Sequence, residues 1–403
     1  MSDPSRVQMS GPLLSFAAGF AEELAGQGYR PTGMCAQLQL MAHASRWLAA
    51  QGLGVEGFTP SRVEEFVGWR RSQGYTQRRS ALALKPLLEY LGGLAVLPVP
   101  VGEVGMAWGE LLEDYRVHLV AARGLASSTV KRYVSVGEAF LAGLGEHADE
   151  AGLGWLTGRH VVEFVAGESR RLCPGSAKDL VTCLRSFLRF LYASGRTPCE
   201  LSGGVPTVAV WGGGSLPKAL EPEQVTALLE SCGTGSLTGL RDLAVLTMLA
   251  RLGLRAGEAA GLVLDDFDWR QGEVVVRGKG GRVDRMPVPV DVGEVVTAYL
   301  RDRRPRVECR SVFLRVFAPI VGLGPVGVSS VVMRACERAG VPVCGAHRLR
   351  HSAATAMLRS GASLSDVGQV LRHHSGPATT SIYAKVDRAS LRTVAQPWPG
   401  GAA

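Results

Sequence analysis

Four of the eight histidines lie between residues 347 and 374, and arginines stand among them. The first group reads Ala346-His347-Arg348-Leu349-Arg350-His351, the second Leu371-Arg372-His373-His374-Ser375. His347 and Arg350 are three residues apart, so on a helix they share a face. A histidine and an arginine aimed at one point suit a phosphate. The guanidinium fork clamps non-bridging oxygens, and the imidazole moves a proton near neutral pH. A metal site at His347, His351 and His374 is the weaker reading. No carboxylate or cysteine shares their face at ligand spacing, and the neighbouring arginines repel a cation. No metal and no cofactor is expected.

Three further residues can do chemistry, and each has a plain structural reading beside it. Lys279 stands between glycines in Gly278-Lys279-Gly280-Gly281. A lysine there is either a solvated turn residue or a proton donor to a leaving oxygen. Arg255, in Gly253-Leu254-Arg255-Ala256-Gly257-Glu258, is either a helix-end arginine paired with Glu258 or a second phosphate clamp. Tyr383, in Thr380-Ser381-Ile382-Tyr383, is either a half-buried core tyrosine or a nucleophile. As a nucleophile it needs help, because a phenol with a pKa near 10 is protonated at pH 7.

Taken in order, these boxes resemble those of the tyrosine recombinase, or phage integrase, family. Gly253-Leu254-Arg255 with Glu258 matches its first arginine box, and Gly278-Lys279-Gly280 its lysine hairpin. His347, Leu349, Arg350 and His351 match its H-x-L-R-H box. His374 and Tyr383, nine residues apart, match its final histidine and tyrosine. The chain departs from the pattern at Arg372-His373-His374, where the family usually has Leu-Gly-His. Spacing to Tyr383 favours His374, with His373 as the substitute.

The resemblance implies a site-specific recombinase that cleaves and rejoins DNA through a 3′-phosphotyrosyl link. It implies Tyr383 as nucleophile, Arg255 and Arg350 on the phosphate, His347 as acid/base, Lys279 on the leaving oxygen and His374 as a further donor. Glu258 and His351 would support them. Double-stranded DNA and a homo-oligomer, a tetramer on DNA with or without partner recombinases, are the implied partners. The location would be the bacterial cytoplasm, at the nucleoid. Two alternatives remain: a type IB-like topoisomerase, and a catalytically silent DNA-binding accessory factor.

Elements of two kinds must position these groups. The fold expected is mainly α, with a small β-hairpin or sheet in a C-terminal mixed α/β catalytic domain. Residues 218–390 would form that domain, with strands at 273–277 and 283–288 around the glycines. Helices are predicted at 240–252, 291–304, 327–338, 347–359, 364–372 and 377–384. Upstream, 1–100 and 106–203 read as two helical bundles, the second resembling the family's core-binding domain. They look alike: Phe58, Val63, Phe66 and Val67 parallel Leu156, Val161, Phe164 and Val165, and Leu87 to Leu91 parallels Phe187 to Leu191. A Gly/Pro-rich linker at 204–217 separates the second bundle from the catalytic domain, and 391–403 form a tail.

Composition agrees. The 403 residues are 46% hydrophobic and 20% charged, which excludes wholesale disorder, and no apolar stretch reaches 18 residues. The eight cysteines are scattered and make no C-x-x-C knuckle, which points to a reducing compartment. The net charge of +8 is uneven: residues 215–403 carry 24 Lys/Arg against 17 Asp/Glu. A positive excess there suits an acidic partner such as nucleic acid. Only six of the cations are lysines, a bias that a GC-rich genome also produces.

Overall fold

The computed structural model describes residue 4 and residues 7–97, 108–144, 153–207, 219–278 and 281–372. Lys279, His373, His374, Tyr383, the helix expected at 377–384 and the tail at 391–403 lie outside the described residues, as does most of the linker. Among the described residues the fold is helical with one small sheet, as the sequence implies.

In chain order the helices are α1 (Ala17–Gly26), α2 (Pro31–Ala50), α3 (Pro60–Ser72), α4 (Ala81–Gly93), α5 (Gly109–Ala121), α6 (Ser127–Gly143), α7 (Gly158–Ser169) and α8 (Pro174–Ala193). They continue with α9 (Pro222–Glu230), α10 (Gly239–Leu252), α11 (Ala256–Ala260), α12 (Val290–Asp302), α13 (Pro325–Ala339), α14 (Ala346–Arg359) and α15 (Leu364–Val370). The chain divides into two compact units. One gathers residues 1–54, 73–90 and 215–403, the other 55–72 and 91–214.

The core of the second unit is aromatic. Tyr115, Phe140 and Phe187 are fully buried, and Tyr115 and Phe187 meet edge to face. Tyr115 Oη bonds Ser186 Oγ at 3.0 Å, so the buried hydroxyl keeps a partner. Gly137 on α6 lies under Phe187, where a Cβ would come within 3.2 Å of the ring. Of the residues that echo between the two expected bundles, Phe58, Val63, Phe66, Val67, Leu156, Val161 and Val165 are buried, and Phe164 is half-buried.

In the first unit, α10 is the central element. Ala244, Val245, Leu246, Met248 and Leu249 are buried on it, and α12 and α14 pack against it. The sheet has three antiparallel strands: β1 (Phe267–Asp268), β2 (Glu273–Arg277) and β3 (Val283–Pro287), in that order. Arg277 faces Val283 across the hairpin, and Gly278 N–H donates to Arg282 O at 2.8 Å. The hairpin agrees with the sequence reading. β1 was not foreseen, because two residues are too short for alternation to be visible.

The helices after the sheet fall within two residues of their expected bounds. α15 stops at Val370 because Arg372, two residues on, takes a left-handed φ of +56°. Among the described residues no helix is long and apolar enough to cross a membrane.

Candidate active site

The site begins where α10 ends. Gly253 closes that helix with φ +58°, a conformation that glycine adopts without strain. A Cβ there would lie 2.5 Å from Cδ2 of Leu371, so the close approach also requires glycine. Leu254 is buried and pins the turn. Arg255 then starts α11 in extended backbone.

Glu258, three residues on, closes a capping box around Arg255. Its Oε2 accepts from the backbone N–H of Arg255 at 2.9 Å, and its Oε1 accepts from Arg255 Nη1 at 2.5 Å. Two hydrogen bonds thus join Arg255 to Glu258, the pairing that the sequence offered for a helix-end arginine. The carboxylate is buried, whereas the Arg255 side chain is about a third exposed.

Two more arginines reach the same carboxylate. Arg350 on α14 is almost fully buried, and its Nη1 stands 3.8 Å from Glu258 Oε2. Arg372 is also buried, and its Nη2 donates to Glu258 Oε2 at 2.7 Å. Burial alone would push the Glu258 carboxyl up. The Arg255 backbone N–H and the Arg372 and Arg255 guanidinia outweigh it and hold the group below the usual carboxylate range. Glu258 therefore carries its charge at pH 7, surrounded by three cations.

Arg350 is held by backbone as well. Its Nη1 donates to Gly253 O at 2.6 Å, and its Nη2 donates to Leu371 O. These bonds join the turn before Arg255 to the segment before the His-His pair. Arg372 adds a third link, because its guanidinium also touches Met286 Sδ on β3. The base of the lysine hairpin is close too: a Cβ on Gly278 would lie 3.9 Å from Glu258 Oε1.

His347 and His351 stand one turn apart on α14, with ring centroids 4.4 Å apart and the planes edge to face. Burial lowers the pKa of His347, and the charges of Arg350 and Arg255 lower it further. Burial, then His347, Arg350 and Arg348, push His351 down to about 4. Both rings are neutral at pH 7, the form that accepts a proton.

The structure thus brings Arg255, Glu258, His347, Arg350 and His351 together. Lys279, His374 and Tyr383 lie outside the described residues. Arg372 is the site residue that the sequence reading missed. It stood out only as a departure from the motif, and nothing in the spacing pointed it at Glu258, 114 residues away. Among the described residues no cluster of three His, Cys, Asp or Glu side chains could hold a metal ion.

Comparison with known proteins identifies the family. The model of the phage integrase family matches residues 218–390. A putative integrase/recombinase of Sinorhizobium fredii, y4rA, is 38% identical over 97% of this chain and 96% of its own length. The tyrosine recombinase XerD of Mycobacterium tuberculosis is 34% identical over 72% of this chain and 96% of its own. The fold is also that of the XerH site-specific recombinase bound to palindromic difH substrate in a post-cleavage complex. There the TM-score is 0.53 at 16% identity, over 98% of each chain. With relatives this similar over this much of its length, the chain belongs to the phage integrase family of tyrosine recombinases, enzymes that cleave and rejoin DNA.

Proposed function

We propose that this chain is a metal- and ATP-independent recombinase acting in DNA integration or transposition, with Tyr383 as its nucleophile. Tyr383 Oη attacks the scissile phosphorus and forms the phosphotyrosyl bond as the P–O5′ bond breaks. The phenolic proton passes to neutral His347, and the leaving 5′-oxygen takes a proton from Lys279. Arg255 and Arg350 hold the non-bridging oxygens and neutralise the charge that builds on them. One of the adjacent pair His373 and His374 donates a further hydrogen bond. The phosphodiester's energy is kept in the covalent link, so the strand rejoins by the reverse reaction.

The observation that carries this reading is the gathering of Arg255 and Arg350 on one buried carboxylate beside a neutral histidine. Two fixed cations and a proton acceptor are what an attack on a phosphodiester needs. The substrate is double-stranded DNA, gripped mainly through its backbone and therefore in a salt-dependent way. Four copies would assemble around two duplexes, at the nucleoid in the bacterial cytoplasm. The bundles at 1–100 and 106–203 would form the rest of the clamp, as duplicates of one unit.

Covalent capture tests the proposal. The full chain is incubated with sheared genomic DNA from its source organism and then denatured in SDS, and the DNA linked to protein is sequenced. The expected result is enrichment of a defined site, with Tyr383→Phe giving no adduct. Absence of any adduct from the wild type, or an equal adduct from Tyr383→Phe, overturns the assignment. Adducts spread evenly over the genome indicate a topoisomerase.

A further inference from the structure

Resting on that reading, we propose that Arg372 is a positioning residue for strand cleavage: it neutralises Glu258 from the interior, leaving the charges of Arg255 and Arg350 to the scissile phosphate.

Three observations support it. First, Arg372 holds an unfavourable backbone. It follows the end of α15 with φ +56°, where glycine is at ease and a side chain is not. Second, its guanidinium is buried and its Nε has no hydrogen-bond partner. A buried cation is costly unless it is paired. Its Nη1 donates to Val370 O at 3.0 Å and touches Met286 Sδ, so an arginine in this strained, dry position has one charged group to compensate it. Third, that charged group is Glu258, at 2.7 Å from Arg372 Nη2.

Glu258 carries −1 and faces Arg255, Arg350 and Arg372, so the cluster is +2. Without Arg372 it is +1, and a carboxylate balanced only by the two arginines assigned to the phosphate stands behind it. It then competes with DNA for Arg255 and repels the charge that develops during attack. With Arg372 in place the carboxylate still orients Arg255, and the repulsion is offset from behind. The contact of Arg372 with Met286 Sδ ties this support to β3, a strand of the lysine hairpin.

The test uses the full chain and the DNA fragments recovered by covalent capture. Adduct formation is followed at saturating DNA, and the half-saturating DNA concentration is measured separately. Arg372→Gly relieves the backbone and removes the charge. It should slow adduct formation about tenfold or more while changing half-saturation less than about threefold. Arg372→Gln is read the same way if the glycine variant does not fold. Arg372→Lys keeps a cation beside Glu258 and should stay within about threefold of wild type.

The decisive measurement is Arg372→Gly combined with Glu258→Gln. Removing the unbalanced carboxylate should restore at least about threefold of the lost rate. A purely structural arginine gives the opposite result, with the double variant no faster than Arg372→Gly. That outcome overturns the proposal, as do Arg372→Gly or Arg372→Gln variants that cleave like wild type. A wild type that forms no adduct overturns the recombinase reading itself, and this inference with it.

Discussion

Arg350 Nη1 donates to the carbonyl oxygen of Gly253 at 2.6 Å, two residues before Arg255. One of the two arginines proposed to bind phosphate thus holds the turn that presents the other. The geometry of the pair is set by a hydrogen bond to backbone as well as by the carboxylate between them. A change at either end should disturb both.

Arg350→Lys preserves the charge and loses the fork. The bonds to Gly253 O and Leu371 O cannot both be made by one ammonium in the same place. Loss of a buried, charge-assisted bond costs about 2–3 kcal/mol. Urea unfolding should show a loss of that size, and adduct formation should fall about 100-fold or more. A lysine variant with wild-type cleavage would remove Arg350 from the phosphate.

Gly253→Ala probes the same turn from the other side. The new Cβ meets both a left-handed φ and Leu371 Cδ2 at 2.5 Å. Conformational strain of about 1 kcal/mol and overpacking of about 1–3 kcal/mol predict a clear drop in thermal stability. Adduct formation should fall with it, because the shift is passed to Arg255. An alanine variant as stable and active as wild type would show that the approach of Leu371 is not needed.

The histidine pair makes stability depend on pH. His351 is pushed down to about 4 in the fold, and an unfolded histidine titrates near 6.5. Between those values the unfolded chain binds more protons, so stability rises with pH across that window. The contribution is complete above about pH 6.5 and is lost as pH falls towards 4. Because the ring is only half-buried, it amounts to no more than about 1–2 kcal/mol. Urea midpoints at pH 5 and 7.5 should differ more for the wild type than for His351→Gln. His347, lowered for the same first reason, keeps its proton-accepting form at neutral pH, so cleavage should weaken only on the acid side.

Lys279→Ala should slow cleavage by about 100-fold or more and leave DNA binding nearly intact, because a leaving-group contact exists only in the reaction. A substrate with sulfur in place of the bridging 5′-oxygen needs no proton on departure and should restore the rate. Failure of the sulfur substrate to rescue, with binding weakened, would place Lys279 on the DNA backbone.

The left-handed φ at Arg372 bears on the two adjacent histidines. The family's Leu-Gly-His box has its glycine where such a φ is natural, which aligns the box with Leu371-Arg372-His373. His373→Ala should then impair adduct formation by about tenfold or more, and His374→Ala much less. The reverse order would favour the register set by spacing from Tyr383.

The sequence by itself determined what depends on neighbours along the chain. Arg255 and Glu258 are three apart and meet through one turn. His347 and Arg350 share a helix face because 3.6 residues make a turn. The hairpin is visible in two strand-like runs around glycines, and the ordered boxes were enough for the family. Only the tertiary structure decided what depends on distant segments meeting. Gly253 needs to be glycine because Leu371 lies over it, 118 positions later. Arg372 serves Glu258 from 114 residues away. Spacing arguments carry information over a few turns of helix or a strand pair. A carboxylate that gathers cations from the start of α11, from α14 and from just beyond α15 exists only once α11 and α14 have packed on α10 and α15 on α14.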